Sequence, residues 1–211
     1  RYTFAAQAGK KVLDLGCGSG VFSCLFEKNG AQVTAVDLTE AAVTMTAQNS
    51  RTQNLPVAVV RADAEKLPLD QNSFDYVFSW GVLHHTADMS AALREVQRVL
   101  RPGGTAMIMV YHRHSWVYVA HGLYWLVAKG MLFRGHTLKS IQDVYTDGYF
   151  HRYLTRRELN DMASTAGLHP QSTFVTQYEK KIIPAIPSTL DRWLKARIGM
   201  CVAIHVEKAP A

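Results

Sequence analysis

The sequence is short of charge and of cysteine, and each shortage closes off a class of protein. Only 19% of its 211 residues are charged while 48% are hydrophobic. That balance excludes a disordered chain and suffices for one ordinary domain with a full core. Cysteine occurs three times, at Cys17, Cys24 and Cys201, an odd count with no Cys-x-x-Cys spacing. This excludes a disulfide framework and points to reduced thiols in a reducing, cytoplasmic compartment. No His-Glu-x-x-His run occurs, and no cysteine stands at metal-ligand spacing from a histidine, so no metal site is expected. The net charge is +6, but no five basic residues are consecutive, which argues for solvated Lys and Arg rather than a nucleic-acid groove. Internal repeats and low-complexity tracts are missing, as is the charged-then-apolar opening of a secretory signal. The chain starts at Arg1 rather than Met, which leaves open whether an N-terminal piece precedes it.

Against these absences stands one dense stretch, Val12-Leu13-Asp14-Leu15-Gly16-Cys17-Gly18-Ser19-Gly20. Residues 12–15 read as a short buried strand that carries one acid. Three glycines at alternate positions then turn the chain, and Val21-Phe22-Ser23-Cys24-Leu25-Phe26 open a helix. A strand that passes through glycines into a helix brings bare backbone close to a ligand. Two phosphate patterns are not met. A phosphate loop continues into Lys-Ser/Thr, and Val21-Phe22 stand there instead; a dinucleotide loop is spaced GxGxxG, and Val21 occupies the third glycine's place. Asp14, just before the turn, repels a phosphate and welcomes an ammonium. Asp37, 17 residues after Gly20 at the end of the apolar run 32–36, is placed to accept both hydroxyls of a ribose. A ribose acceptor, a cation acceptor and no phosphate cradle describe S-adenosyl-L-methionine better than NAD or ATP.

Pattern and punctuation predict strands over 11–15, 32–36, 57–60, 74–79, 105–110, 168–177 and 200–206. Helices are expected over 21–29, 40–54, 91–100, from Thr155 to Gly167, and 188–197. Thr39, then Asp88 or Ser90, then Thr155 within the capping box Thr155-Arg156-Arg157-Glu158, and Ser188 are the expected N-caps. Arg101-Pro102-Gly103-Gly104 reads as a tight turn, and Leu190, Trp193 and Leu194 as the packing face of the last helix. Residues 80–85 leave the carboxyl end of the fourth strand, where open α/β sheets bind ligands. Residues 116–133 are almost wholly apolar, about 18 in a row. A membrane span is rejected because both ends must return to one domain. The stretch is read as a lid over the substrate pocket, with membrane-surface contact or a homodimer face as the rival reading.

VLDLGCGSG, VTAVDLT, ADAEKLPL, FDYVFSWGVLHHT and RVLRPGGTAMI resemble, in order and spacing, the motifs of class I S-adenosylmethionine-dependent methyltransferases. The likeness is greatest to the branch that holds quinone-biosynthesis C-methyltransferases and many small-molecule methyltransferases, and it covers roughly half the chain. The resemblance implies an α/β, Rossmann-like, seven-stranded and mostly parallel sheet with helices on both faces. Its last strand is antiparallel, tucked between the fifth and sixth. Residues 1–211 then form a single domain, with 111–153 as a helical lid insertion after the fifth strand. The implied cofactor is S-adenosyl-L-methionine, leaving as S-adenosyl-L-homocysteine. Its expected binding residues are Asp14, Gly16, Cys17, Gly18, Gly20, Asp37, Leu38, Asp63, Ala64, Ser79, Trp80 and Gly81. In the family an acid at the Asp63 position accepts from the adenine amino group and the next amide, here that of Ala64, meets the ring. A turn or helix-cap aspartate is the alternative for Asp63.

A sulfonium methyl is already activated, so an enzyme must chiefly hold the nucleophile in line with it. A general base is needed only where the acceptor must lose a proton, and histidine is the default near neutral pH. His84 and His85 are best placed, although this pair often serves structure in the resembled branch. His112 and His114 follow the fifth strand at the pocket rim. His151 lies in a stretch that lines the substrate pocket in the family, with Tyr145, Tyr149 and Arg152 as further substrate candidates. The expected function is methyl transfer to a small molecule with an aromatic or lipophilic part, at oxygen, nitrogen or carbon. The alternatives are a non-catalytic cofactor-binding or scaffold protein, or a nucleic-acid or protein methyltransferase. Against the nucleic-acid reading, Ser79-Trp80-Gly81-Val82 stands where an NPPY-type signature would be.

Overall fold

Apolar β-branched runs in the first half of the chain end, one after another, at the same edge of one sheet. The computed structural model describes residues 4–138, 140–141, 152–176 and 187–210. In it β1 (Lys11–Leu15), β2 (Gln32–Asp37), β3 (Ala58–Arg61), β4 (Phe74–Trp80) and β5 (Leu100–His112) run parallel in the spatial order β3-β2-β1-β4-β5. The two-residue β6 (Tyr153–Leu154) pairs with the far end of β5. β8 (Cys201–Lys208) lies antiparallel between β5 and β7 (Leu168–Thr176). The expected arrangement is present, with β6 added to the seven strands foreseen. The chain runs outward from β1 to β3 and then returns to place β4 on the other side. That reversal opens a crevice at the carboxyl ends of β1 and β4.

Both faces of the sheet are covered, which is why its strands read as continuous apolar runs. On one face Leu13, Leu15, Val77 and Ile108 pack with Leu93 and Val96 of α3 (Met89–Val99) and Leu159 of α5 (Arg156–Thr165). On the other, Val12, Tyr76, Phe78 and Met107 pack with Phe26 of α1 (Val21–Lys28). α2 (Glu40–Thr52) starts where Thr39 Oγ1 accepts from the Ala42 amide, and Asp88 caps α3 by accepting from the Ala91 amide. At α5 Thr155 and Glu158 bond reciprocally, so the capping box is formed.

Three expectations are corrected. Arg101-Pro102-Gly103-Gly104 is not a turn outside the sheet but an irregularity within β5, which pairs with Phe74 at Leu100 and with Tyr76 at Thr105; Gly103, at φ +72°, supplies the left-handed step. In α6 (Ser188–Ile198) Pro187 holds the cap position and Ser188 is already helical. Its expected packing face is turned out, with Leu190 and Trp193 exposed and the Arg197 guanidinium 4.1 Å above the indole. The buried side chain there is Asp191, paired with Lys195 at 2.8 Å. Residues 116–133 are not one helix either. α4 (Trp116–Leu123) passes into a wider π-type turn at Tyr124–Ala128, and a separate 3-10 turn, Met131–Arg134, follows Gly130 at φ +65°. Among the described residues no helix is long and apolar enough to cross a membrane.

Leu93 is fully buried against the sheet at the centre of α3. Leu93→Ala is expected to cost about 2–5 kcal/mol of unfolding free energy, read from the urea midpoint at unchanged slope. A loss below about 1 kcal/mol would show that α3 does not anchor that face.

Candidate active site

A cavity of about 390 Å³ lies over the carboxyl ends of β1 to β4. β1 contributes Leu15 and Gly16, β2 contributes Val36, Asp37 and Leu38, and the turn after β3 contributes Ala62 to Glu65. Val82, His85, Thr86 and Ala87 close it from beyond β4. The lining is mainly apolar, with carboxylates at three points and one imidazole.

The glycine loop meets the cavity at Gly16, while Gly18 lies just outside its lining. The loop's first two amides, of Gly16 and Cys17, both donate to the Val36 carbonyl at 2.7 and 3.0 Å, which pins the turn to β2. A Cβ on Gly16 would collide with the Val82 side chain. Gly18, at φ +56°, differs: a Cβ there would meet nothing within 4 Å. At Gly18 the backbone therefore fronts open space that a ligand can approach. Its amide donates to Asp37 Oδ2 at 3.1 Å. Asp37 Oδ1 accepts from both the amide and the hydroxyl of Thr39, each at 3.0 Å. The same Thr39 hydroxyl accepts from the Ala42 amide at 3.3 Å. One carboxylate thus joins the loop to the start of α2, and it still offers acceptor capacity to the cavity.

Asp63 stands in a turn, as the alternative reading for it has it. Its Oδ1 accepts from the Glu65 amide at 2.9 Å in a local turn, and the residue lines the cavity beside Ala64. Glu65, which the sequence reading passed over, lines the cavity too and accepts from the Asp88 amide at 2.9 Å. Behind this turn Glu95 accepts from the Leu67 amide, and Arg98 bonds Glu95 and the carbonyls of Leu67 and Leu69. In this brace only the Glu95–Arg98 pair, three residues apart on α3, is local in sequence.

Gly16, Asp37, Leu38, Asp63, Ala64 and His85 meet at the cavity. The other predicted residues lie outside its lining, for stated reasons. Asp14 shares the α1 side of β1 with Val12. It is 2% exposed, and its Oδ2 accepts from the Ser23 hydroxyl at 2.5 Å. Cys17 is buried, with the Thr46 hydroxyl donating to its Sγ at 3.3 Å, and burial pushes its thiol up to about 11. Gly20 caps α1 in the left-handed conformation. Ser79 is fully buried. Trp80 stacks on Phe78 at 6.0 Å and packs with Phe22 of α1, while the Gly81 amide donates to the Met109 carbonyl at 3.0 Å. His84 is fully buried, its ring 4.0 Å from that of Tyr111, whereas His85 faces the cavity. His112 Nδ1 meets the Gly199 carbonyl at 3.1 Å, and burial lowers the pKa of its ring. The Arg152 guanidinium donates to the carbonyls of Thr86 and Ala87 on the cavity wall. His151, Tyr145 and Tyr149 lie outside the described residues. No residue of 116–133 lines the cavity.

A family model described as "Methyltransferase domain" matches residues 13–108. The Pseudomonas aeruginosa ubiquinone biosynthesis O-methyltransferase is 31% identical over 116 residues, 54% of this chain and 50% of that protein. The protein of the same description from Chromobacterium violaceum is 30% identical over 169 residues, 80% of this chain and 68% of that one. The chain spans about half the length of the first of these relatives. A solved S-adenosylmethionine-dependent methyltransferase from Methanosarcina mazei superposes over 100% of this chain and 99% of its own, with a TM-score of 0.72 at 19% identity, a likeness of fold.

Burial drives the Asp14 carboxyl up from 3.8 to about 6, against the opposing pull of the Ser23 hydroxyl. A folded-state value above the unfolded one means that the folded chain keeps the proton to higher pH. The stability from this group is full below about pH 4 and is lost as pH rises through about 6. Asp14→Asn removes the titration. The wild-type unfolding free energy, taken relative to this variant, should fall by about 2 kcal/mol between those limits in urea titrations. A difference that stays constant with pH refutes burial as the cause.

Proposed function

The chain belongs to the class I S-adenosylmethionine-dependent methyltransferases, and from that membership we propose that it moves the methyl group of S-adenosyl-L-methionine to a small-molecule acceptor with an aromatic or lipophilic part. The observation that carries this reading is the pairing of Gly18 with Asp37. A bare backbone fronting open space stands beside a carboxylate held by three donors, where a sugar diol can add its two hydroxyls. The residues present fit the cofactor. Asp37 would take the ribose, Asp63 and the Ala64 amide the adenine, and Leu38 and Val82 the apolar faces of the nucleoside. Bound there, the cofactor supplies a methyl group on a positively charged sulfur. The chain's own part is to hold the acceptor atom in line and exclude water. His85, on the cavity wall, is the base that takes a hydroxyl proton from the acceptor; His84 supports it from the core. The named O-methylation of both curated relatives favours oxygen as the acceptor atom. Cys17, Cys24 and Cys201 are buried free thiols, in keeping with a cytoplasmic site of action.

Calorimetry with S-adenosyl-L-homocysteine tests the cofactor half. The wild type should bind, and both Asp37→Ala and Gly18→Arg should weaken binding by about tenfold or more while retaining the thermal transition. Failure of the folded wild type to bind overturns the reading. For the chemical half, His85→Ala should lower kcat for an oxygen acceptor by about 10²–10⁴ with cofactor affinity unchanged. Equal kcat removes His85 as the base, and binding without transfer to any acceptor would favour a scaffold.

A further inference from the structure

α4 and the turns after it are apolar on two adjacent stripes, and only one of these is covered. Tyr118, Gly122 and Leu126, four residues apart, are buried. The next stripe, Val119, Leu123 and Val127, faces outward, and Val127 is 67% exposed. The following 3-10 turn adds Leu132 and, at 91% exposed, Phe133. Of the twelve exposed large apolar side chains among the described residues, six fall within 119–133. Scattered exposed apolar residues need no explanation, but a cluster of this density marks a contact surface.

Charge selects the occupant. Between Glu95 and Asp143 the sequence has no Asp or Glu. Lys129 and Arg134 stand exposed among the apolar residues, and the Lys129 ammonium lies 5.7 Å from the centre of the Tyr124 ring and 5.8 Å from that of Trp125. Apolar residues, interfacial aromatics and cations, with no acid between them, match a lipid surface with negative headgroups. They do not match a second copy of the chain. A two-fold contact through this patch would bring Lys129 and Arg134 of both copies into one interface, and the segment carries no acid to answer them.

We propose that the outer face of residues 119–134 lies on the surface of an anionic bilayer. The inner side of α4 leads back toward the cavity. Tyr118 lies 4.7 Å from Tyr153, Tyr153 lies 5.6 Å from Tyr111, and Tyr111 lies 5.8 Å from His85. The surface that holds the membrane is therefore joined by a run of rings to the wall that bears the base. An acceptor with an apolar tail reaches the site from the lipid phase along this side. The docking itself does not depend on the methyltransferase reading and is measured without cofactor.

Co-sedimentation with phosphatidylcholine vesicles, and with vesicles of phosphatidylcholine and phosphatidylglycerol, tests this. The wild type should sediment with the mixed vesicles and far less with the neutral ones, and salt should weaken the binding. Val127→Ser with Phe133→Ser should reduce binding by about tenfold or more. Lys129→Glu with Arg134→Glu should abolish the preference for the anionic lipid. Both double variants change exposed side chains and should keep the wild-type melting curve and S-adenosyl-L-homocysteine affinity, so that a loss of docking is separable from a failed cofactor site. The proposal is overturned if the wild type stays in the supernatant with both vesicles, or if it binds them equally. It also falls if sedimentation velocity shows a dimer that Phe133→Ser dissolves while vesicles go unbound.

Discussion

The carboxylate of Asp37 is the joint on which the ligand end of the sheet depends. It receives the Gly18 amide on one oxygen and the Thr39 amide and hydroxyl on the other. Thr39 then accepts from the first turn of α2. The glycine loop, the end of β2 and the helix that follows are thereby fixed by donors that would otherwise be orphaned at a helix start and in a tight turn. Charge-assisted bonds of this kind are shorter and stronger than neutral ones. These bonds fix the orientation of the carboxylate.

The fold was legible because it is written in period and punctuation. Alternating glycines, the Thr39 cap and the Thr155–Glu158 box each act within a few residues, and each stands where expected. The cavity was legible at strand ends and just past them, at Gly16, Asp37 and Asp63. Alternation along a strand puts other expected residues outside the cavity lining. Val12 and Asp14 share one side of β1, so the acid that reads as a cation acceptor goes beneath α1 to Ser23. Phe78 and Trp80 share one side of β4, so the indole joins the aromatic cluster around Phe22. Glu95 and Arg98 pair three residues apart on α3, a local spacing, but their bonds to the Leu67 amide and the Leu67 and Leu69 carbonyls, like that of Glu65 to the Asp88 amide, join residues 23 to 31 positions apart.

The stretch 116–133 shows a different limit. A helix apolar on all sides is read as buried, since water is the only other solvent that a sequence pattern assumes. Here one stripe is buried and the adjacent one is not. Composition alone does not distinguish full burial from half burial with an apolar surface outside. The burial of each side chain does.

The two regions are mechanically coupled. The chain returns from the insertion at Arg152, whose amide donates to the His84 carbonyl and whose guanidinium donates to the carbonyls of Thr86 and Ala87. Next to it Arg113 binds the Tyr153 carbonyl and Glu158, which ties the start of the insertion to its end and to α5. The segment that carries His85 is therefore held at three of its carbonyls by Arg152, the residue before β6. A guanidinium that sequence places among the acceptor's ligands is in this way committed to the carbonyls of Thr86 and Ala87, and it ties the segment that bears His85 to the start of β6.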